Sequence, residues 1–102
     1  MKIAITSTGG DIKSKMDRRF GRCAYFAIYD TEVNSTEFIL NEYKESVEGA
    51  GPASAQFIAN KGVSKVYSGD FGNKVKSIFN ELTIEMKIIK EDRTVEEIIN
   101  KI

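Results

Sequence analysis

The chain contains no histidine. That removes histidine acid–base catalysis, the Ser-His-Asp triad and histidine metal sites. It has one cysteine, Cys23, so an internal disulfide is excluded and a reducing, cytoplasmic setting is the expectation. Neither sign of charge is in excess: fifteen Lys and Arg balance fifteen Asp and Glu. Such a chain carries no electrostatic footprint for nucleic acid or an anionic membrane, so any anion site has to be local. Long apolar runs are missing too. Ile3-Ala4-Ile5 is too short for a signal h-region or a membrane span. There is no Gly-x-x-x-x-Gly-Lys-Ser/Thr phosphate loop, no internal repeat and no linker.

What remains is one domain of 102 residues. A chain of that size buries roughly two-thirds of the surface its unfolded form exposes, enough for a core without staples. Residues 2–7 are a buried-type strand closed by Ser7-Thr8-Gly9-Gly10. Residues 24–30 alternate as a second strand, and 36–43 form a third after a turn-rich loop, giving a hairpin. A helix opens at Gly49-Ala50-Gly51-Pro52, with proline near its first turn, and stops at Gly62. Val63–Ser68 is a strand. Val75, Ile78, Phe79 and Leu82 form one helical stripe over 73–82. Ile84, Met86 and Ile88 alternate as a fifth strand. Thr94 with Glu97 forms a capping box for a last helix. The order β-β-β-α-β-α-β-α implies a mixed five-stranded α/β sheet with three helices against it.

The richest stretch is Met16-Asp17-Arg18-Arg19-Phe20-Gly21-Arg22-Cys23, three arginines and the only thiol in eight residues. A cationic loop ending in a thiol at a strand's edge suits a soft, anionic ligand. Topology gives it neighbours. The first, fourth and fifth strands should run parallel, and ligands in such sheets sit beyond the strands' C-terminal ends. Ser7, Thr8 and Gly9 leave the first strand there. Gly69, Asp70 and Gly72 leave the fourth, and Gly49 and Gly51 open a helix there. Helix N-termini offer free N–H groups and partial positive charge to an anion.

Plainer readings exist for each piece. Turn chemistry alone accounts for any single glycine. Cys23 at a strand start can be a small packed residue, although Arg22, Arg18 and Arg19 nearby favour its thiolate. The arginines can be solvated or paired with Asp11 or Asp17. Phe20 is expected to plug the core beneath the loop. Gly49-Ala50-Gly51 is a false dinucleotide fingerprint, because a charged loop, not a strand, precedes it and Ser54 fills the third glycine position.

The stretch Asp17-Arg18-Arg19-Phe20-Gly21-Arg22-Cys23-Ala24-Tyr25-Phe26, with Ile28 and Asp30, resembles a "D-x-R-F-G-R-(A/C)-x-Y-F-x-(I/V)-x-D" signature. It is that of the dinitrogenase iron–molybdenum cofactor biosynthesis proteins, the NifX and NafY type that also forms the tail of NifB. Gly49, Gly51, Ala55, Gly62-Val63, Val66, Gly69 and Gly72 are similar to the family's second glycine-rich run, and Thr94-Val95-Glu96-Glu97 to its closing helix. The resemblance covers nearly the whole chain. It implies a ribonuclease-H-like sheet and a non-catalytic protein that binds or carries an iron–sulfur or iron–molybdenum type cluster. The ligand region it implies is Arg19, Phe20, Gly21, Arg22 and Cys23 with the turns at Gly49–Gly51 and Gly69–Gly72. Cys23 would be the one metal ligand.

Two departures stand out. Arg19 replaces a histidine common before Phe-Gly, and Gly69-Asp70-Phe71-Gly72-Asn73-Lys74-Val75 replaces Gly-Asn-x-Gly-Pro-Asn-Ala. One thiolate does not hold a cluster alone, since iron–sulfur clusters usually take four cysteines. The grip has to come from charge and N–H groups around a Cys23–metal bond, or from two chains. Cluster-assembly or acceptor proteins are the implied partners, with no nucleic acid or membrane, and a monomer or weak dimer is expected. The alternative is a small regulatory module binding a protein or simple anion at the same edge. A nuclease is disfavoured, because its two-metal site needs several carboxylates and Ile3-Ala4-Ile5-Thr6 supplies none.

Overall fold

The computed structural model describes residues 1–102. Its elements are β1 (Lys2–Ser7), β2 (Tyr25–Asp30), β3 (Ser35–Leu40), α1 (Ala50–Ala59), β4 (Val63–Ser68), α2 (Asn73–Glu81), β5 (Glu85–Ile88) and α3 (Val95–Ile99). This is the α/β order expected from the sequence, in one five-stranded sheet ordered β3-β2-β1-β4-β5.

β1 is central, and after Lys2 every residue of it is buried. A strand covered on both faces reads as a continuous apolar run rather than an alternation. It pairs antiparallel with β2 (Ile5 opposite Ala27) and parallel with β4 (Ala4 opposite Val66). β4 pairs parallel with β5 (Val66 opposite Met86), and β2 antiparallel with β3 (Phe26 opposite Ile39). The C-terminal ends of β1 and β4 therefore share an edge with the start of β2.

α1 and α2 cover one face, over thirteen buried residues that include Phe20, Phe26, Phe71 and Phe79. The Phe20 ring lies 5.4–5.6 Å from three other phenylalanine rings, so it plugs this core as expected. The opposite face holds a smaller group of six, Ile3, Ile5, Met16, Ala27, Val95 and Ile98. α3, the segment leading into it and the loop after β1 cover it. No helix is long and apolar enough to cross a membrane.

Helix boundaries follow the local signals. Gly62 stops the α1 segment with φ 79°. The Thr94–Glu97 capping box forms with both bonds made, Glu97 N–H to Thr94 Oγ1 at 3.1 Å and Thr94 N–H to Glu97 Oε1 at 2.8 Å. Those bonds hold the Glu97 carboxyl below its usual range.

Most boundaries shift by a residue or two from the sequence reading, α1 ending at Ala59 rather than Lys61, and one shifts further. β3 ends at Leu40 instead of running to residue 43. Asn41 is buried and turns the chain there, accepting Tyr43 N–H on Oδ1.

Candidate anion cleft

A cleft of about 480 Å³ opens where three segments meet. The arginine loop gives it Arg19, Phe20, Gly21 and Arg22. The start of α1 gives Gly49, Ala50, Gly51 and Pro52. The end of β4 and the start of α2 give Asp70, Gly72, Asn73, Lys74 and Val75.

Close backbone approach builds one wall. A Cβ on Gly21 would lie 2.7 Å from Gly51 Cα, and one on Gly51 would lie 3.1 Å from a Val75 methyl. The loop and α1 are thus packed glycine against glycine, closer at Gly21 than alanine permits, and Gly51 in turn sits tight against Val75 of α2. Gly49 starts α1 with φ 71°, a left-handed conformation that favours glycine.

Beneath that wall lies a polar knot. Asn41 Nδ2 donates to Cys23 O at 3.0 Å and Gly21 O at 3.2 Å. Ser54 Oγ donates to Asn41 Oδ1 at 3.3 Å. Buried carbonyls of the loop are satisfied this way, and the loop is tied to both β3 and α1. Arg22 Nη1 donates to Lys44 O at 2.8 Å and Ser46 O at 2.6 Å, pinning the β3–α1 connection beside the cleft.

The two helix starts differ from that of α3. Neither Gly49 nor Gly72 offers a capping side chain, and neither first turn contains an acid. α3 has both. The first N–H groups of α1 and α2 thus lack side-chain caps, and both helix starts line the same cleft, α1 with fewer N–H groups because Pro52 has none. Lys74 sits in the first turn of α2, where a cation opposes the helix dipole.

Charges around the cleft are partly engaged. Arg19 Nε lies 3.4 Å from Asp17 Oδ1, while its own N–H donates to the same oxygen at 2.9 Å. Arg18 turns away to Asp92 at 2.8 Å, and that pair holds the Asp92 carboxyl low. Asp11 takes neither arginine.

Of the residues singled out in the sequence, Arg19, Phe20, Gly21, Arg22, Gly49, Gly51, Asp70 and Gly72 come together here. Ser7, Thr8 and Gly9 do not. The loop after β1 folds back over that end of the strand: Thr8 N–H donates to Lys15 O at 2.9 Å, Asp17 N–H to Thr6 O at 3.0 Å, and Ser7 Oγ to Gly9 O at 2.7 Å. Gly69 is also outside the lining. Its Cα faces the Arg18 backbone, so that a Cβ would lie 2.5 Å from Arg18 Cα.

Cys23 requires the largest correction. It is fully buried, and its thiol donates to Phe20 O at 3.2 Å. Burial, and then the Asp17 charge, push its pKa up to about 12 against an Asn41 hydrogen bond that pulls it down. The neighbouring arginines do not favour its thiolate: Arg18 turns to Asp92 and Arg22 to backbone carbonyls, and no arginine acts on the sulfur. A protonated thiol below the wall is not poised to ligate a metal in the cleft. No group of three or more Cys, Asp or Glu gathers elsewhere in a metal-binding arrangement.

Asn41, Ser54, Asn73 and Lys74 escaped the sequence reading. Only Lys74 carried a usable signal, a lysine just inside a helix start. Asn41 and Ser54 gain their role from partners 13–33 residues away.

The model of the dinitrogenase iron-molybdenum cofactor family matches residues 1–102. An uncharacterised protein of Methanocaldococcus jannaschii is 33% identical over 89 residues, spanning 84% of this chain and 72% of that protein. The apo form of the orange protein from Desulfovibrio gigas superposes with a TM-score of 0.91 at 28% identity, over 98% of this chain and 84% of that one. A candidate NifB protein from Thermotoga superposes with a TM-score of 0.84 at 31% identity, over 97% and 84%.

Proposed function

The chain belongs to the dinitrogenase iron-molybdenum cofactor family, and on that premise we propose that it is a non-catalytic carrier holding an anionic metal–sulfur cluster as cargo. One observation carries the reading. Two helices begin, uncapped and without acids, at a single cleft beside an arginine loop. Orphan N–H groups and aligned dipoles make an anion site. The cleft volume of about 480 Å³ suits a compact cluster better than a single small ion.

The donor set decides how the cargo is gripped. The lining contains no thiol and no imidazole, so a site that ligates iron through four cysteines does not fit. A cluster whose metals already carry their full sulfide shell does fit. Arg19 and Lys74 supply charge, and the first turns of α1 and α2 supply N–H groups. Without a protein–metal bond, release to an acceptor protein needs only displacement, which suits an assembly pathway.

The test is anaerobic titration with tetrathiomolybdate and with a preassembled iron–molybdenum–sulfur cluster, followed by metal analysis and visible spectra. Wild type and Cys23→Ser should bind alike. Arg19→Ala combined with Lys74→Glu should weaken binding at least about tenfold, equivalent to about 1.4 kcal/mol. Failure of wild type to bind either anion would sink the proposal.

A further inference from the structure

We infer that Asp70 sets which anions the cleft accepts, by repelling compact oxyanions; the inference deepens the carrier reading and rests on it. Asp70 is the one carboxylate among the lining residues, facing the same space as Arg19, Arg22 and Lys74. It braces nothing. The residue is exposed, and it forms no ion pair: Arg18 is taken by Asp92, Arg19 by Asp17, and Arg22 by two carbonyls. Nor does it cap α2, whose N-cap receives no side-chain hydrogen bond although Asp70 stands only two residues before Gly72. Its charge is left to act on whatever enters the cleft.

Two uncapped helix starts beside arginine and lysine would otherwise make a general phosphate site. Specificity is a difference of affinities, and a repulsive element is one way to create it. Coulomb repulsion falls with distance. Phosphate or molybdate concentrates its charge in one small volume, and seating it against a helix start brings that charge close to Asp70. A metal–sulfur cluster spreads its charge across the cleft. It can touch both helix starts while keeping most of its charge away from Asp70, and diffuse sulfide depends less on close hydrogen bonds than oxygen does.

The experiment is anaerobic calorimetric titration of the full chain with phosphate, molybdate and a preassembled iron–molybdenum–sulfur cluster. Wild type, Asp70→Asn and Asp70→Ser are compared, with circular dichroism to establish that each is folded; the serine variant keeps the test intact if asparagine disturbs the turn. Removing the charge should tighten phosphate and molybdate at least about tenfold, and shift the cluster by less than about threefold. Equal shifts for all three anions, or none, overturn the inference and leave the carrier reading standing. Gain of phosphate binding in a protein that never binds the cluster supports the role of Asp70 and removes the carrier reading. Absence of anion binding in all three proteins overturns both.

Discussion

Cys23 shows how little a residue's sequence neighbours say about its chemistry. Three arginines precede it, yet what surrounds the sulfur is the Phe20 carbonyl, the Asn41 amide and the nearby Asp17 charge. Burial penalises the thiolate most, and the thiol keeps its proton up to about 12, against 9.0 for an ordinary one. The consequence for stability has a definite sign. Between those two values the native state binds more protons than the unfolded chain, so stability falls as pH rises. The contribution is complete below about pH 9 and is lost at up to about 1.4 kcal/mol per pH unit above it. Cys23→Ala removes this contribution. Guanidinium unfolding midpoints measured from pH 8 to 11 should therefore fall less steeply for Cys23→Ala than for wild type. Parallel slopes would show that the native thiol ionises freely. Lysine and tyrosine titrations are common to both proteins and cancel in the difference.

At the scale of elements, caps separate the helix that only needs to fold from those that face the cleft. α3 is closed by Thr94 and Glu97. α2 starts at Gly72, whose φ of −68° and ψ of 162° are extended backbone that any residue adopts, with open space where a Cβ would stand. Gly72→Asp should therefore supply the missing cap, worth a few tenths of a kcal/mol over glycine. Melting of the ligand-free protein should rise by about 1–3 °C. The same carboxylate would occupy the N–H groups offered to an anion, so tetrathiomolybdate affinity should fall at least about tenfold. Calorimetry and thermal melts on one preparation check both halves, and unchanged affinity would mean that α2 contributes nothing to the grip. Elements whose cause is local were legible in the sequence: the all-buried run of β1, the Val75–Phe79 stripe, the Thr94 box. Features that depend on distant partners were not. Arg18 meets Asp92 74 residues away. Asn41 ends β3 because Gly21 and Cys23 carbonyls need its amide. Ser7 is buried, and Thr8 and Gly9 are held in a loop away from the cleft, because Met16 and Ser14 bond to the chain around Arg93 and Val95. Periodicity reports which face is apolar, but it carries no information about which loop will lie across it.

Across the whole molecule, the two faces of the sheet are unequal, and the cleft opens on the thicker side. α1, α2 and the arginine loop rest together on the phenylalanine cluster, while α3 and the β1 loop hold the thinner face through main-chain bonds such as Met16 N–H to Arg93 O at 2.8 Å. An anion in the cleft touches segments around residues 19–22, 49–52 and 70–75 at once. The unfolded chain cannot offer that convergence, so the ligand binds the native state alone and adds stability through mass action. At a hundred times the dissociation constant the gain is about 2.7 kcal/mol. For a domain of this length each kcal/mol moves the melting temperature by about 4–8 °C, so saturating tetrathiomolybdate should raise it by about 10–20 °C. Net charge is zero, and the attraction arises only from groups lining the cleft, so salt should act on the liganded protein specifically. Raising ionic strength from 0.1 to 1 M shortens the screening length from about 10 to about 3 Å, which should shrink the ligand-induced rise. Exposed pairs such as Lys13–Glu96 and Lys87–Glu85 contribute little in any salt, so the ligand-free melt should move by far less. A ligand-induced rise that survives 1 M salt undiminished would mean that the cargo is held by something other than the charges and helix starts of this cleft.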